Sequence, residues 1–427
     1  VMTVEMIFAL IFLLIILLIF TEAVHRSLAA ILGALLITVF GLLYHVFRYE
    51  EILGFLDLHV ILFILGLFIL FEVLREVGLF RFIGIALINL TRSPTGYMII
   101  FCILSMLFTM FIANIPAMLI VGSLIMTISR ELKLDPTPYI IASAIFTNIG
   151  GITFLISSIP NILVAHAFNI TFMRFAEVSA PLALILALVT LGVFTKCLTP
   201  KASRLLPSEV RYDPWTAVKD RRSFEFSVII FIATIVALAF HERLMVGMEF
   251  IVLGSAIAIM VLTRMDVGEV FKRLDWPTLL FLTGFFVVIG GLNKVGLLRL
   301  VADKIISICP SQSLLVMAFI WLTGLLSAFI DNIPLTMTFI PVTQAIIEHA
   351  GHFAQPLVWG LVFGANLGGS FTPIGSPSNI VALGILERNG LKGFFRRFFK
   401  IGAIAALIHL ALANLYIFLR FILKLWP

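Results

Sequence analysis

Charge is what this 427-residue chain lacks: only 12% of its residues are Asp, Glu, Lys or Arg, about half the share found in soluble domains. That shortage excludes an ordinary water-soluble globular enzyme. Cysteine is scarce too, and Cys102, Cys197 and Cys309 are too few and too scattered for a disulfide framework or a C-x-x-C metal site. No basic stretch or small-residue cleavage site frames the apolar run Met6 to Phe20, so it reads as a first membrane span rather than a signal peptide. What is present is apolar: 61% of the residues, with a mean hydropathy of +1.17. The chain is read as an all-α polytopic membrane protein. Its 29 Lys and Arg against 23 Asp and Glu give a net charge of +6, an excess that orients spans in a bilayer and implies no nucleic-acid partner.

The sequence repeats itself at one constant offset. The shift that carries Asp57 onto Asp275 also carries Gly66 onto Gly284, Gly78 onto Gly296, Asn114 onto Asn332, Pro116 onto Pro334 and Asn148 onto Asn366. Residues 147–162 match 365–380 at seven of sixteen positions, and most of the matches are Asn, Gly and Ser, which chance similarity between apolar spans would not favour. With about 20 apolar residues per crossing, the first copy (1–209) has spans near 6–20, 28–47, 58–90, 138–168 and 175–195. The second copy (226–427) repeats them near 226–241, 246–264, 276–308, 356–386 and 399–424, after a basic cytoplasmic linker at 210–225. Between the third and fourth spans of each copy lies a stretch broken by Asn-Ile-Pro, where proline removes an amide donor and disfavours helix before it. These stretches, 97–130 and 315–348, are predicted to be re-entrant hairpins with Asn114 and Asn332 at their tips.

Five crossings per copy is an odd number, so the two copies are predicted to insert with opposite orientation. Threading ten spans with both termini outside places 21 of the 29 Lys and Arg on the cytoplasmic side, Arg26 among them, as the positive-inside bias requires. Inverted repeats with broken helices are a pattern of secondary transporters, which bind ions and solutes near the bilayer midplane. Each copy supplies two breaks. One is the hairpin tip, at Phe111 to Pro116 and at Phe329 to Thr336. The other is a Gly-Gly loop in the fourth span, running from Asn148 through Gly150-Gly151 to Asn161, and from Asn366 through Gly368-Gly369-Ser370 and Thr372 to Ser376 and Asn379. Glycine lets the backbone leave the helix, and the freed carbonyls suit a cation. The helix starts expected at Asn161 and Asn379 suit an anion or a polar neutral solute.

Asp331 is the most informative residue, because a carboxylate at bilayer depth costs about 2.5–3.5 kcal/mol even on a lenient scale. Its counterpart is Ala113, so the hairpin fold does not require it. Asp331 is expected to carry the coupling cation, as a sodium ligand or a titrating group, and it also stands where it caps the second hairpin arm. Asp57 and Asp275 are expected to be N-caps, Glu72 to pair locally with Arg75, and His166 to sit at an interface.

Phe329 to Thr336, with its Asp-Asn-Ile-Pro-Leu-Thr core, and the two Gly-Gly loops resemble the ion transporter superfamily, in particular its arsenite-efflux and NhaD-type sodium/proton antiporter branch. The resemblance implies a scaffold with a mobile transport unit, a homodimer and an elevator-like movement. It departs from the family pattern where Phe154, Ser157, Ser158 and Ile159 replace Thr, Gly, Asp and Pro, and where Asn366 stands for Asp. The dicarboxylate/sodium symporter branch carries Ser-Asn-Thr at both hairpin tips, whereas this chain has Ala113-Asn114-Ile115 and Asp331-Asn332-Ile333.

Breaks and resemblance together assign the coupling cation, Na+ or H+, to Asp331, Asn332, Asn114, Asn148, Gly150, Gly151, Asn366 and Gly368. They assign the solute to Asn114, Asn161, Asn332, Thr336, Gly369, Ser370, Thr372, Ser376 and Asn379. No other cofactor or metal is expected. The function expected first is antiport of Na+ or H+ against a small inorganic solute such as arsenite, in the plasma membrane of a prokaryote. The alternative is sodium-coupled uptake of a dicarboxylate or another anion. An intramembrane aspartyl protease is disfavoured, since it needs paired acids and Gly-x-Gly-Asp is absent.

Overall fold

The computed structural model describes residues 3–21, 23–198, 212–309, 311–350, 354–391 and 393–424. Among them there is no strand; the chain is a succession of helices. The first residues of the 210–225 linker, 210 and 211, lie outside the described residues, and a short turn at Pro214–Ala217 leads into the second copy.

In the first copy the helices are α1 (Val4–Phe20), α2 (Arg26–Leu43), α3 (Leu58–Glu76), α4 (Leu79–Ile88), α5 (Pro94–Thr109), α6 (Asn114–Leu132), α7 (Thr137–Gly151), α8 (Ile159–Ala167) and α9 (Phe172–Cys197). The second has α10 (Arg221–Ala239), α11 (His241–Leu244), α12 (Met248–Thr263), α13 (Val267–Lys272), α14 (Trp276–Lys294), α15 (Leu297–Ile308), α16 (Gln312–Ser327), α17 (Asn332–Ala350), α18 (Ala354–Gly368), α19 (Pro377–Arg388) and α20 (Phe394–Ile417). From α3 against α14 onward, most partner helices start at the offset of the sequence repeat. Among the described residues seven helices, α2, α3, α6, α9, α10, α14 and α20, are long and apolar enough to cross a membrane. Leucines and isoleucines such as Leu13, Leu35, Leu188 and Ile232 point outward on the helices, the exposed apolar belt that a lipid solvent demands. This is a multi-pass membrane protein.

At both Asn-Ile-Pro breaks one helix ends and the next begins, α5 to α6 and α16 to α17. Pro116 and Pro334 fall in the first turn of α6 and α17, where the missing amide has no helical acceptor to serve. The spans 58–90 and 276–308, read from the sequence as long and bent, are each two helices, separated by Gly78 (φ 90°) and Gly296 (φ 79°) in the left-handed region that favours glycine. The α7–α8 and α18–α19 breaks follow the Gly-Gly pairs, and the second arms resume at Ile159 and Pro377, two residues earlier than expected.

The copies interlock. α2 packs on α14, and α3 on α12; α6 packs on α19, and α17 on α8. Equivalent glycines permit the first two contacts: a Cβ on Gly66 would stand 3.0 Å from the Leu253 amide, and one on Gly284 2.8 Å from the Ala30 carbonyl carbon. The repeat partners α3 and α14 run antiparallel. At one end Glu76, closing α3, pairs with Arg273 at 2.6 Å just before α14 begins; at the other Lys294, closing α14, pairs with Glu51 just before α3 begins. Asp57 and Asp275 cap these helices, each accepting a backbone N–H at 3.1 Å, as the sequence predicts.

Candidate functional site

Six helix starts, those of α2, α6, α8, α14, α17 and α19, meet around a cavity of about 60 Å³ lined in part by Arg26, Asn114, Ser158, Asp275, Thr278 and Asn332. Proline and the broken spans put them there, since each break begins a new helix in the interior instead of at the surface. The starts of α6, α8 and α19 have no side-chain cap. The positive ends of their dipoles therefore face the cavity, although Pro116, Pro160 and Pro377 in their first turns carry no N–H and the Asn379 N–H is taken by the Ser376 carbonyl at 3.1 Å.

Arg26 is the residue that sequence reasoning misses. Its Nη1 donates to Asp331 Oδ2 at 2.8 Å and its Nη2 donates to Thr278 Oγ1 at 2.9 Å; Thr278 Oγ1 in turn donates to Asp275 Oδ2 at 2.6 Å. The Arg26 and Asp331 side chains are 24% and 21% exposed. The pair adds what the sequence does not show: Arg26 is part of the cavity wall, and Asp331 is half of an ion pair. Asp331 also accepts the Ile333 N–H at 3.3 Å, so its capping role is real. No local signal marks Arg26: an arginine opening an apolar span normally snorkels to headgroups, and its partner belongs to the other copy of the repeat.

The other sequence candidates divide into three groups. Asn114 and Asn332 line the cavity, and Asn114 Oδ1 is buried without a hydrogen-bond partner. Beside them Gly151 leaves a gap, since a Cβ there would meet only Asn114 Oδ1 at 3.7 Å, Asn366 Oδ1 at 3.9 Å and Asn114 Nδ2 at 4.0 Å. A second group links the two breaks. Asn148 Nδ2 donates to Ser370 Oγ at 2.9 Å, Asn366 Nδ2 to Asn161 Oδ1 at 2.9 Å, and Ser158 Oγ to Asn366 Oδ1 at 3.0 Å.

The third group turns inward to hold the fold. Asn161 Nδ2 donates to the carbonyls of Gly151 and Phe154, and Asn379 Nδ2 to those of Gly369 and Thr372, all at 2.8–2.9 Å. Four of the loop carbonyls expected to await a cation thus already accept from these two amides. Thr336 bonds the Asn332 carbonyl, Thr372 the Ala328 carbonyl, and Ser376 pairs with Ser378. Gly150 and Gly368 are packing glycines, facing Met106 and Thr109 of α5 and the Gly324 backbone of α16.

The profile of the citrate transporter family, CitMHS, matches residues 15–364 and 340–426. A relative from Mycobacterium tuberculosis strain H37Rv, named an uncharacterized transporter, is 28% identical over 95% of this chain and 96% of its own length. The P protein of Homo sapiens is 25% identical over 95% of this chain, which spans 58% of that protein. The crystal structure of the Alcanivorax borkumensis YdaH transporter is similar in fold, with a TM-score of 0.62 over 91% of this chain and 90% of that one at 15% identity.

Proposed function

The chain belongs to the citrate transporter family, and from that membership and the donors that face the cavity we propose that it is a secondary active transporter for a small polyvalent carboxylate. The observation that carries this reading is the convergence of Arg26 with three uncapped helix starts on one cavity. Carboxylate oxygens accept from exposed N–H groups and from a guanidinium, whose fork matches them in geometry. Asp331 holds Arg26 in place, and an incoming carboxylate would compete for the same donors.

A coupling Na+ would find the unpartnered Asn114 Oδ1 and the Asn366 Oδ1 beside Gly151, whereas coupling to H+ would need a titrating group, which Asp331 supplies. The two copies act as inverted repeats; the antiparallel course of α3 and α14 and the reciprocal packing of α6 on α19 and α17 on α8 support this. A scaffold of α2, α3, α12 and α14 would then carry an elevator-type movement of the hairpins and broken helices, in a homodimer in the plasma membrane with both termini outside.

A second reading has its own support. Arg26 is neutralised by Asp331, and Asp275 stands beside them, so the site offers no net positive charge, which suits antiport of a neutral hydroxylated solute such as arsenite. Proteoliposome fluxes of citrate, arsenite and sodium under imposed gradients decide between the two. Citrate uptake driven by a sodium or proton gradient is expected; arsenite flux without citrate uptake overturns the carboxylate reading. In the same assay Gly151→Ala is expected to fold normally, because its Cβ meets only ordinary contacts, yet to raise the half-saturating cation concentration roughly tenfold by occupying the gap. Unchanged cation dependence would remove Gly151 from the cation site.

A further inference from the structure

At the end of α8 remote from the cavity, four titratable side chains from different parts of the chain come together. His166 Nε2, in the last turn of α8, lies 3.3 Å from Asp57 Oδ2 at the cap of α3. His59 Nδ1, in the first turn of α3, lies 2.8 Å from Glu249 Oε1 of α12. The two imidazoles stack with centroids 5.6 Å apart and planes at 28°. Asp57 is the repeat partner of Asp275, yet the residues corresponding to His59 and His166 are Pro277 and Gly384. The repeated fold therefore does not require a histidine pair, and only one of the two equivalent places has one.

We propose that Asp57, His59, His166 and Glu249 form a proton-binding latch that ties α8 to the α3/α12 pair and slows its departure when protonated. The inference rests on the proposed movement of the broken helices. The Glu249 carboxylate hydrogen-bonds the His59 ring, and the Asp57 carboxylate stands 3.3 Å from His166 without a hydrogen bond. A proton taken up by the stacked rings turns the first contact into a charge-assisted one and gives the second an attraction it lacks, which ties α8 to α3. His59 is 64% and His166 37% exposed at the side chain, so the cluster is not sealed inside the protein.

Among the described residues, no other charge on the surrounding elements competes for the rings. α18 carries no charged residue, and Glu348 of α17 is exposed and pairs with neither imidazole. Lys294 of α14 is engaged with Glu51, and Arg243, ahead of α12, lies over the Phe240 ring. His241 bonds the Leu238 carbonyl, and Glu242 precedes Arg243 in the same turn. Arg221 pairs with Glu225 within α10 and Lys272 with Glu269 within α13, and Arg75, Lys219 and Arg273 gather on Glu72 and Glu76 at the far end of α3.

The sign follows from linkage: the proton is bound more tightly in the bridged arrangement, so acid favours that arrangement and retards turnover. The test compares wild type, His166→Gln and Asp57→Asn, the last retaining an N-cap while losing the charge. Citrate ionisation is common to all three and cancels in the comparison. The wild-type uptake rate is expected to fall between pH 8 and pH 5.5 by roughly fivefold more than that of either variant. Thermal unfolding of the substrate-free protein supplies a readout independent of transport: acidification should stabilise wild type over both variants by roughly 2 °C. Identical pH dependence of unfolding in all three proteins overturns the latch. If no protein takes up citrate, the carboxylate assignment fails and the unfolding comparison alone decides the latch.

Discussion

Replacing Arg26 by Gln is expected to lower citrate uptake by roughly 10–100-fold, with most of the loss in apparent affinity. Hydrogen bonds to charged groups are worth about 1.5–3 kcal/mol each, and each 1.4 kcal/mol is about tenfold in binding. The substitution removes the only cation among the described residues that line the cavity and leaves Asp331 and Asp275 facing an anion without compensation. Arg26→Lys should recover only part of the activity, because a single ammonium cannot engage Asp331 and Thr278 as the planar guanidinium does. Initial rates across citrate concentrations, with citrate-dependent thermal stabilisation as the binding readout, check the result. Wild-type affinity in Arg26→Gln would exclude Arg26 from the site. Arsenite flux that survives in Arg26→Gln/Asp331→Asn would instead favour the neutral-solute reading.

The largest effect on folding is expected from Gly368→Ala. A methyl group there would stand 2.7 Å from the Gly324 Cα and closer still to its carbonyl oxygen, so it meets backbone rather than a side chain that could turn away. The helices cannot part to make room, since Ser327 Oγ donates to the Ala365 carbonyl at 2.5 Å and Thr323 Oγ1 to the Gly360 carbonyl at 3.3 Å, tying α16 to α18. Overpacking of this kind costs about 3 kcal/mol or more. The yield of monodisperse protein in detergent should collapse, whereas Gly384→Ala, with open space around it, should behave as wild type. Equal yields would show that α16 and α18 slide more freely than their bonds imply.

Why the helices and hairpins are legible in the sequence and the cavity only half so has a physical explanation. Helices, hairpin tips and the Gly-Gly breaks are local: proline, glycine and apolar run length determine them within a few residues. The Gly78 and Gly296 breaks escape notice because an apolar run on both sides of a single glycine reads as one bent span. Asn161 and Asn379 stand out by their polarity, but a buried amide serves a ligand and a backbone carbonyl equally well. Only the fold reveals that Gly151, Phe154, Gly369 and Thr372 take their hydrogen bonds. The Arg26–Asp331 and His59–His166 contacts join segments far apart along the chain, and no periodicity records such a meeting.

The cavity lies against Asp275, while Asp57, its counterpart by sequence, touches α8 at His166, about two turns or roughly 10 Å along the helix axis from Ile159. The same aspartate of the repeat therefore meets α8 twice, Asp275 beside its cavity-facing start and Asp57 at its far end. The two meetings differ in chemistry, an arginine and a threonine at one and histidines with a glutamate at the other. On the proposed mechanism a shift of α8 must loosen both, so acidity at one end sets the pace of exchange at the other and leaves the direction of net flux to the imposed gradients.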